Sequence, residues 1–296
     1  MKSNLNYIVI VLLVVINITG CQVFNNKSEK IKILDLKDGD KHLLFYGSEH
    51  SNDEKNPMFE DIKEKFHFIN PEIVLVEGDY NNNKYSDVDN AIKSGESAYV
   101  TYLAQKENIL IKSVEPSKKE QYQYLLNKYE KNSVLMMYVL RQTYQYQKQK
   151  DNKDINYKKT IKRYVYRMKK DGFPISDTEV SLENILSLLK QYTDKDIDNK
   201  NWIYLDIKAY VYRDKAKLND IYNDILKFRN KHLIKTIEEV LIEYDKVFVI
   251  MGSGHVIEEE KRIIKTFDKV KNGDIGVLRD NCLTLKVSNI LKHYLG

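Results

Sequence analysis

HLLFYGSEHSNDEKNPMFEDIKEKFHFINPEIVLVEG, residues 42 to 78, reads as strand, helix, strand. Its two apolar runs, Leu43–Tyr46 and Ile73–Val76, have the length of buried strands, and Phe59, Ile62, Phe66 and Ile69 between them recur at helical spacing. Such a unit makes its strands parallel and its crossover right-handed. Upstream, IKILDL and HLLFYG flank KDGDK, and Asp-Gly between apolar runs signals a hairpin. Downstream, ESAYVTYLAQKEN predicts a helix and ILIKSVEP a strand stopped by Pro116. LNDIYNDILKFRNKHLIKTIEEVLIEY predicts a long helix feeding the strand KVFVIM, and DIGVLRDN and LTLKVS predict two further strands. The fold class that follows is α/β: a mostly parallel, mixed central sheet with flanking helices. From about Lys118 the chain turns Lys/Tyr/Asn-rich and helical, with a break at Gly172–Pro174, so residues 118–220 are expected to be a helical insertion between core segments 31–117 and 221–296.

The N-terminus bounds the compartment. After Lys2, NYIVIVLLVVINI is apolar but too short to span a bilayer comfortably, and ITGC closes it at Cys21. Small residues before a cysteine at the end of such a stretch resemble the lipobox of bacterial lipoproteins. That resemblance implies removal of residues 1–20 as a signal peptide, a lipid on Cys21, a polar tether over residues 21–30, and an extracytoplasmic protein anchored to a bacterial membrane. The one other cysteine, Cys282, then has no intramolecular partner, so stability must come from burial. The formal charge of +5 is spread along the chain rather than blocked. Tyrosines interleaved with basic residues, as in YVYRM, suit stacking on nucleic acid, but outside the cytoplasm they are better read as amphipathic helix surface, and no nucleic-acid partner is expected.

In an open α/β sheet, sites form beyond the carboxyl ends of the parallel strands. HLLFYG runs into Ser48-Glu49-His50, EIVLV into Glu77-Gly78, ILIKSV into Glu115-Pro116, and VFVIM into Gly252-Ser253-Gly254-His255. Two histidines and several carboxylates are thereby aimed at one edge. Gly47, Gly252 and Gly254 are expected to turn the chain off the strands so that each histidine faces the crevice. The long helix adds an arginine. Ile225, Leu226, Leu233, Ile237 and Val240 make one apolar stripe with Arg229 in its middle, and a buried guanidinium needs an anionic partner, the strand-end glutamates being the nearest in topology.

These features together resemble the TraB/Tiki family, within the wider superfamily that includes ChaN-like proteins and erythromycin esterases. Gly47 and His50 match a first Gly-x-x-His, Glu77 an acidic strand end, Arg229 and Asn230 an Arg-Asn pair, and Gly252 and His255 a second Gly-x-x-His. The matching stretches are about Leu43–Glu115 and Asp220–Glu258, without the insertion. Ser48 stands where TraB-like sequences usually have threonine, and Glu49 directly precedes His50, whereas the esterases carry that glutamate earlier. The resemblance implies a hydrolase acting on a peptide or ester bond, of a peptide or small-molecule substrate. Tiki-like members imply a divalent metal and the esterases a histidine base. Chemically, His50, Glu77 and His255 are the candidate ligands for a divalent ion, with Glu49 or Glu115 to take a proton and Arg229 to stabilise an oxyanion. In the metal-free version His50 or His255 is the base, oriented by a glutamate. The rival is a non-catalytic lipoprotein that holds a ligand or partner on the same fold.

Other motifs carry less. Ser253 lacks a Gly-x-Ser-x-Gly context for a nucleophile. GSGH before VIEEEKR lacks the full dinucleotide pattern and is followed by acidic residues. His42, His67, His232 and His293 show no partner pattern in the sequence.

Overall fold

The computed structural model describes residues 31–78, 84–148, 154–215 and 217–273. The leader, Cys21, Cys282 and the two strands expected in DIGVLRDN and LTLKVS lie outside the described residues. β1 (Lys32–Asp38) and β2 (Lys41–Ser48) form the hairpin, antiparallel, with Lys32 opposite Gly47 and Asp38 opposite Lys41. Gly39 in its turn has φ of 56°, a left-handed conformation that glycine adopts without strain. β3 (Ile73–Val76), β4 (Leu110–Ser113) and β5 (Lys246–Gly252) complete one sheet in the order β1-β2-β5-β3-β4, parallel except for β1. The last strand in sequence therefore lies between β2 and β3. That insertion brings the end of β5 between the ends of the two strands that carry His50 and Glu77.

Helices cover both faces because the strands are apolar on both sides. On one face, α1 (Met58–Ile69) and α3 (Glu96–Lys106) pack Phe59, Ile62, Phe66 and Val100 on Leu44, Tyr46, Val74, Val76, Phe248 and Ile250. A short α2 (Val88–Lys93) precedes α3. On the other face, α9 (Asn219–Glu243) and α10 (Ser253–Lys271) pack Leu233, Ile237, Val240, Val256, Ile263 and Phe267 on Leu43, Phe45, Leu75, Val247, Val249 and Met251. Alternate residues of each strand thus serve opposite layers. No helix among the described residues is long and apolar enough to cross a membrane.

Between β4 and α9 lie α4 (Lys118–Leu126), α5 (Lys131–Gln147), α6 (Tyr157–Lys170), α7 (Leu182–Thr193), a 3-10 turn at Trp202–Tyr204, and α8 (Ile207–Val211). These helices bury a core of their own, with Trp202 stacked on Tyr157 at 5.1 Å and Tyr122 edge-on to Tyr138 and Phe173. α4 begins with a capping box in which Ser117 and Glu120 bond each other's backbone, fixing the point where the chain leaves the sheet.

α9 joins the two cores. Ile221 and Ile225 are buried with the helical bundle, whereas Leu233, Ile237 and Val240 are buried against the sheet. The apolar stripe read from the sequence is therefore two stripes end to end, and Arg229 stands at the junction between them.

Candidate functional site

The guanidinium of Arg229, with only 12% of its side chain exposed, answers the need for an anionic partner twice. Its Nε donates to Glu115 Oε2 at 2.8 Å, and its Nη2 donates to Glu115 Oε1 at 2.5 Å and to Glu77 Oε1 at 2.9 Å. The second carboxylate oxygen of Glu77 accepts the backbone N–H of Gly252 at 3.1 Å. Burial alone pushes the Glu77 carboxyl up. The charge of Arg229, those of His255 and His50 when protonated, and the Gly252 N–H more than reverse this and hold it below the usual carboxylate range. Glu77 is therefore the group that both imidazoles and the arginine share. The same partners push Arg229 further above its ordinary range, so it stays charged.

Each histidine is held through Nδ1. His255 pairs with Asn230 Oδ1 at 2.8 Å, and Asn230 Nδ2 in turn donates to Glu259 Oε1 at 3.0 Å. A carboxylate only accepts, so the amide must turn its NH2 to Glu259 and its oxygen to His255, which places the His255 proton on Nδ1. Arg262 bonds the other oxygen of Glu259 at 2.8 Å and completes the chain. Burial lowers the His255 pKa below 6.5, with Arg229 assisting and Glu77 and Glu115 opposing, so this imidazole is neutral at pH 7. His50 Nδ1 meets Glu96 Oε1 at 2.5 Å, and Ser48 Oγ donates to the same oxygen at 2.8 Å. Glu96 is 6% exposed and Ser48 is fully buried. Burial pushes the Glu96 carboxyl up, but the hydrogen bond and charge of His50, with help from its own N–H and Ser48, leave it below the usual range. An ionised Glu96 fixes the His50 proton on Nδ1 as well.

Glu96 is the residue the strand-end reading misses. It opens α3 directly after Gly95, and the first turn of a helix favours a carboxylate. A crossover helix starts at the edge where the preceding strand ends, so an acid in its first turn reaches the same crevice as the strand ends. The signal was Gly-Glu at the head of the predicted helix.

The glycines act differently from the expectation. None of Gly47, Gly252 and Gly254 has a positive φ; it is His50 itself that adopts the left-handed conformation, at φ 55°. Gly252 is small because a Cβ there would lie 2.5 Å from His50 Nε2, so its missing side chain is the space in which the imidazole sits. At Gly47 a Cβ would meet Lys32 O at 2.7 Å and Ser253 Cα at 2.9 Å, so glycine permits close approach of α10 to the sheet. A Cβ on Gly254 meets nothing within 4 Å, and no steric demand fixes that glycine.

The remaining candidates are placed as follows. Glu49 accepts from Asn56 Nδ2 at 2.8 Å rather than from either imidazole, and Glu115 is engaged by Arg229. Arg229 spends its Nε and Nη2 on Glu115 and Glu77 and so clamps the two carboxylates. Ser253 is fully buried, with no partner for its hydroxyl among the described residues, which leaves it out of reach as a nucleophile. His42, at the start of β2, is buried against Asp35 at 2.7 Å, and His67, in the last turn of α1, pairs with Glu107 at 2.9 Å; neither partner belongs to the cluster. Among the described residues no three His, Cys, Asp or Glu side chains are grouped so as to hold a metal ion. Each oxygen of Glu77 accepts one hydrogen bond, from Arg229 and from the Gly252 N–H, and each keeps a second lone pair.

A cavity of about 790 Å³ opens between this edge of the sheet and the helical bundle. Glu77, Glu115 and Arg229 line its sheet side, and α4, α5 and the start of α9 its far side; neither His50 nor His255 is in its wall.

A model of the TraB/PrgY/gumN family matches residues 132–268, which supports a TraB-like family for the chain. The match includes Arg229, Asn230, Gly252 and His255 and also runs through the helices from α5 onward, which the motif-based resemblance had left out; His50, Glu77 and Glu115 precede it. No curated protein and no solved structure matches the chain.

Proposed function

On the premise of a TraB-like chain, we propose a hydrolase of peptide or ester bonds, tethered outside the cytoplasm by a lipid on Cys21. The observation that supports this reading most is that two imidazoles at the strand-end edge that also holds Glu77 are locked in the same tautomer, each by a buried acceptor. Both then offer an unprotonated Nε2 toward a shared water. His50, oriented by Glu96, takes one proton from that water as its oxygen bonds to the substrate carbonyl carbon. The carbonyl π electrons move to oxygen. Collapse of the tetrahedral intermediate breaks the C–N or C–O bond, and the His50 imidazolium returns its proton to the leaving group. His255, kept neutral by burial, accepts a hydrogen bond from the hydrogen that stays on the water oxygen and orients the attack. Arg229, itself anchored by Glu115, holds Glu77 in place beside them.

The test is cleavage of a mixed peptide pool and of simple aryl esters by the mature chain, read by mass spectrometry and absorbance. Activity that disappears in His50→Ala and falls about 10²-fold or more in Glu96→Gln supports the reading. Equal activity in both variants and the wild type overturns it. An intact mass showing an N-terminus at Met1 overturns the lipid anchor.

The second reading is a binding lipoprotein on the same fold. It is favoured by one observation: the large cavity excludes both histidines from its wall.

A further inference from the structure

The cavity is built unequally. Its floor is apolar, from Met137, Ile225 and Leu226, and its volume lies in the range of small-ligand sites. At the sheet end Arg229 is neutralised by Glu77 and Glu115. In the same wall stand Lys118 at the head of α4 and Arg141 on α5. Arg141 is hydrogen-bonded to the Tyr212 hydroxyl, and among the described residues neither cation is in an ion pair. Desolvation pushes the Lys118 ammonium down, with the charges of Arg229 and Arg141 assisting and those of Glu115 and Asp171 opposing. Cations gathered around an enclosed space gain from an anion placed among them.

The charge balance selects the anion. Lys118, Lys119, Arg141 and Arg229 face Glu77, Glu115 and Asp171, four cations against three carboxylates, so the cavity wall carries one net positive charge. A monoanion satisfies that; a phosphate dianion would leave excess negative charge beside Asp171 and Glu115. A guanidinium pairs with a carboxylate through two parallel hydrogen bonds.

Resting on the hydrolytic reading above, we infer that the cavity takes a short peptide by a carboxylate held at Arg141 and Lys118, with its apolar side chains over Met137 and Leu226 and its scissile bond toward Glu77. The carboxylate comes from the peptide's C-terminus or from an acidic side chain. Arg141 and Lys118 are then specificity residues.

The experiment uses the full mature chain and two pools of N-acetylated tetrapeptides, one ending in a free carboxylate and one in an amide. Retention is read by equilibrium dialysis with mass spectrometry. Peptides with a carboxylate are expected at least tenfold enriched over those without one. Enrichment across the free-acid pool assigns the C-terminus; enrichment of Asp- and Glu-containing amides assigns a side chain. Both Arg141→Gln and Lys118→Gln should abolish it, and circular dichroism with a thermal melt checks that each variant keeps the fold. Equal retention with and without carboxylate, enrichment that survives in both variants, or retention of no peptide overturns the inference. Cleavage in the same pools is scored separately. Carboxylate-selective retention without cleavage removes the hydrolytic reading and leaves the cavity's assignment standing. Cleavage indifferent to carboxylate does the reverse.

Discussion

Arg229 grips Glu115 through two of its nitrogens while one of them also reaches Glu77, so a single guanidinium ties the ends of β3 and β4 to α9. Removing it leaves two carboxylates facing each other out of water. Arg229→Met is expected to lose about 3–5 kcal/mol of stability in chemical denaturation. Adding Glu115→Gln to that variant should recover part of the loss. A single variant within 1 kcal/mol of wild type, taking exposed charge pairs at roughly that ceiling, would show that the clamp is not structural.

Gly252→Ala isolates the placement of one ring. The new Cβ falls 2.5 Å from His50 Nε2, and the imidazole, 53% exposed, can swing away. Hydrolysis should be lost with little change in melting temperature. Gly254→Ala, which meets nothing within 4 Å, should leave both unchanged. Gly47→Ala, which presses on backbone at Lys32 and Ser253, should cost about 1–3 kcal/mol.

His255 makes stability depend on pH with a definite sign. Its pKa in the folded chain lies below the 6.5 of the unfolded chain, because burial disfavours the imidazolium. As pH falls, the unfolded state takes up the proton first, so this contribution is complete above 6.5 and is lost as pH drops below it. Thermal melts from pH 7.5 to 5.5 should fall, and His255→Gln should fall less steeply. Parallel curves would remove the burial of His255 as the cause.

In the mechanism proposed above His50 itself takes the proton from water, so divalent metal should be dispensable. Prolonged chelation is expected to leave melting temperature and hydrolysis unchanged. One equivalent of bound metal that disappears in His255→Ala would reverse this.

Much of the site could be read from the sequence because it sits at strand ends, where an apolar run stops and polar residues begin. His50, Glu77, Glu115 and His255 announce themselves that way, and Arg229 by standing among apolar neighbours. Glu96 does not. It looks like any acid that favours a helix start, and only the strand order, which slots β5 between β2 and β3, shows how close the ends of those strands lie. The glycines were misread for a related reason. Glycine before histidine suggests a turn, but the φ values put the bend on His50 and make Gly252 a gap shaped to a ring. The one apolar stripe on α9 hid a change of partner halfway along, since periodicity reports a face and not what covers it.

That change of partner makes α9 a shared beam rather than a connector. It runs about 37 Å, with its first turns roofed by the bundle and its later turns roofed by the sheet. Excising residues 118–211 would strip Ile221 and Ile225 of their cover and leave the beam's near end greasy and bare. Neither storey is then a detachable module. A guest in the cavity leans on both at once, and the chain should melt as one piece whether the guest is present or not.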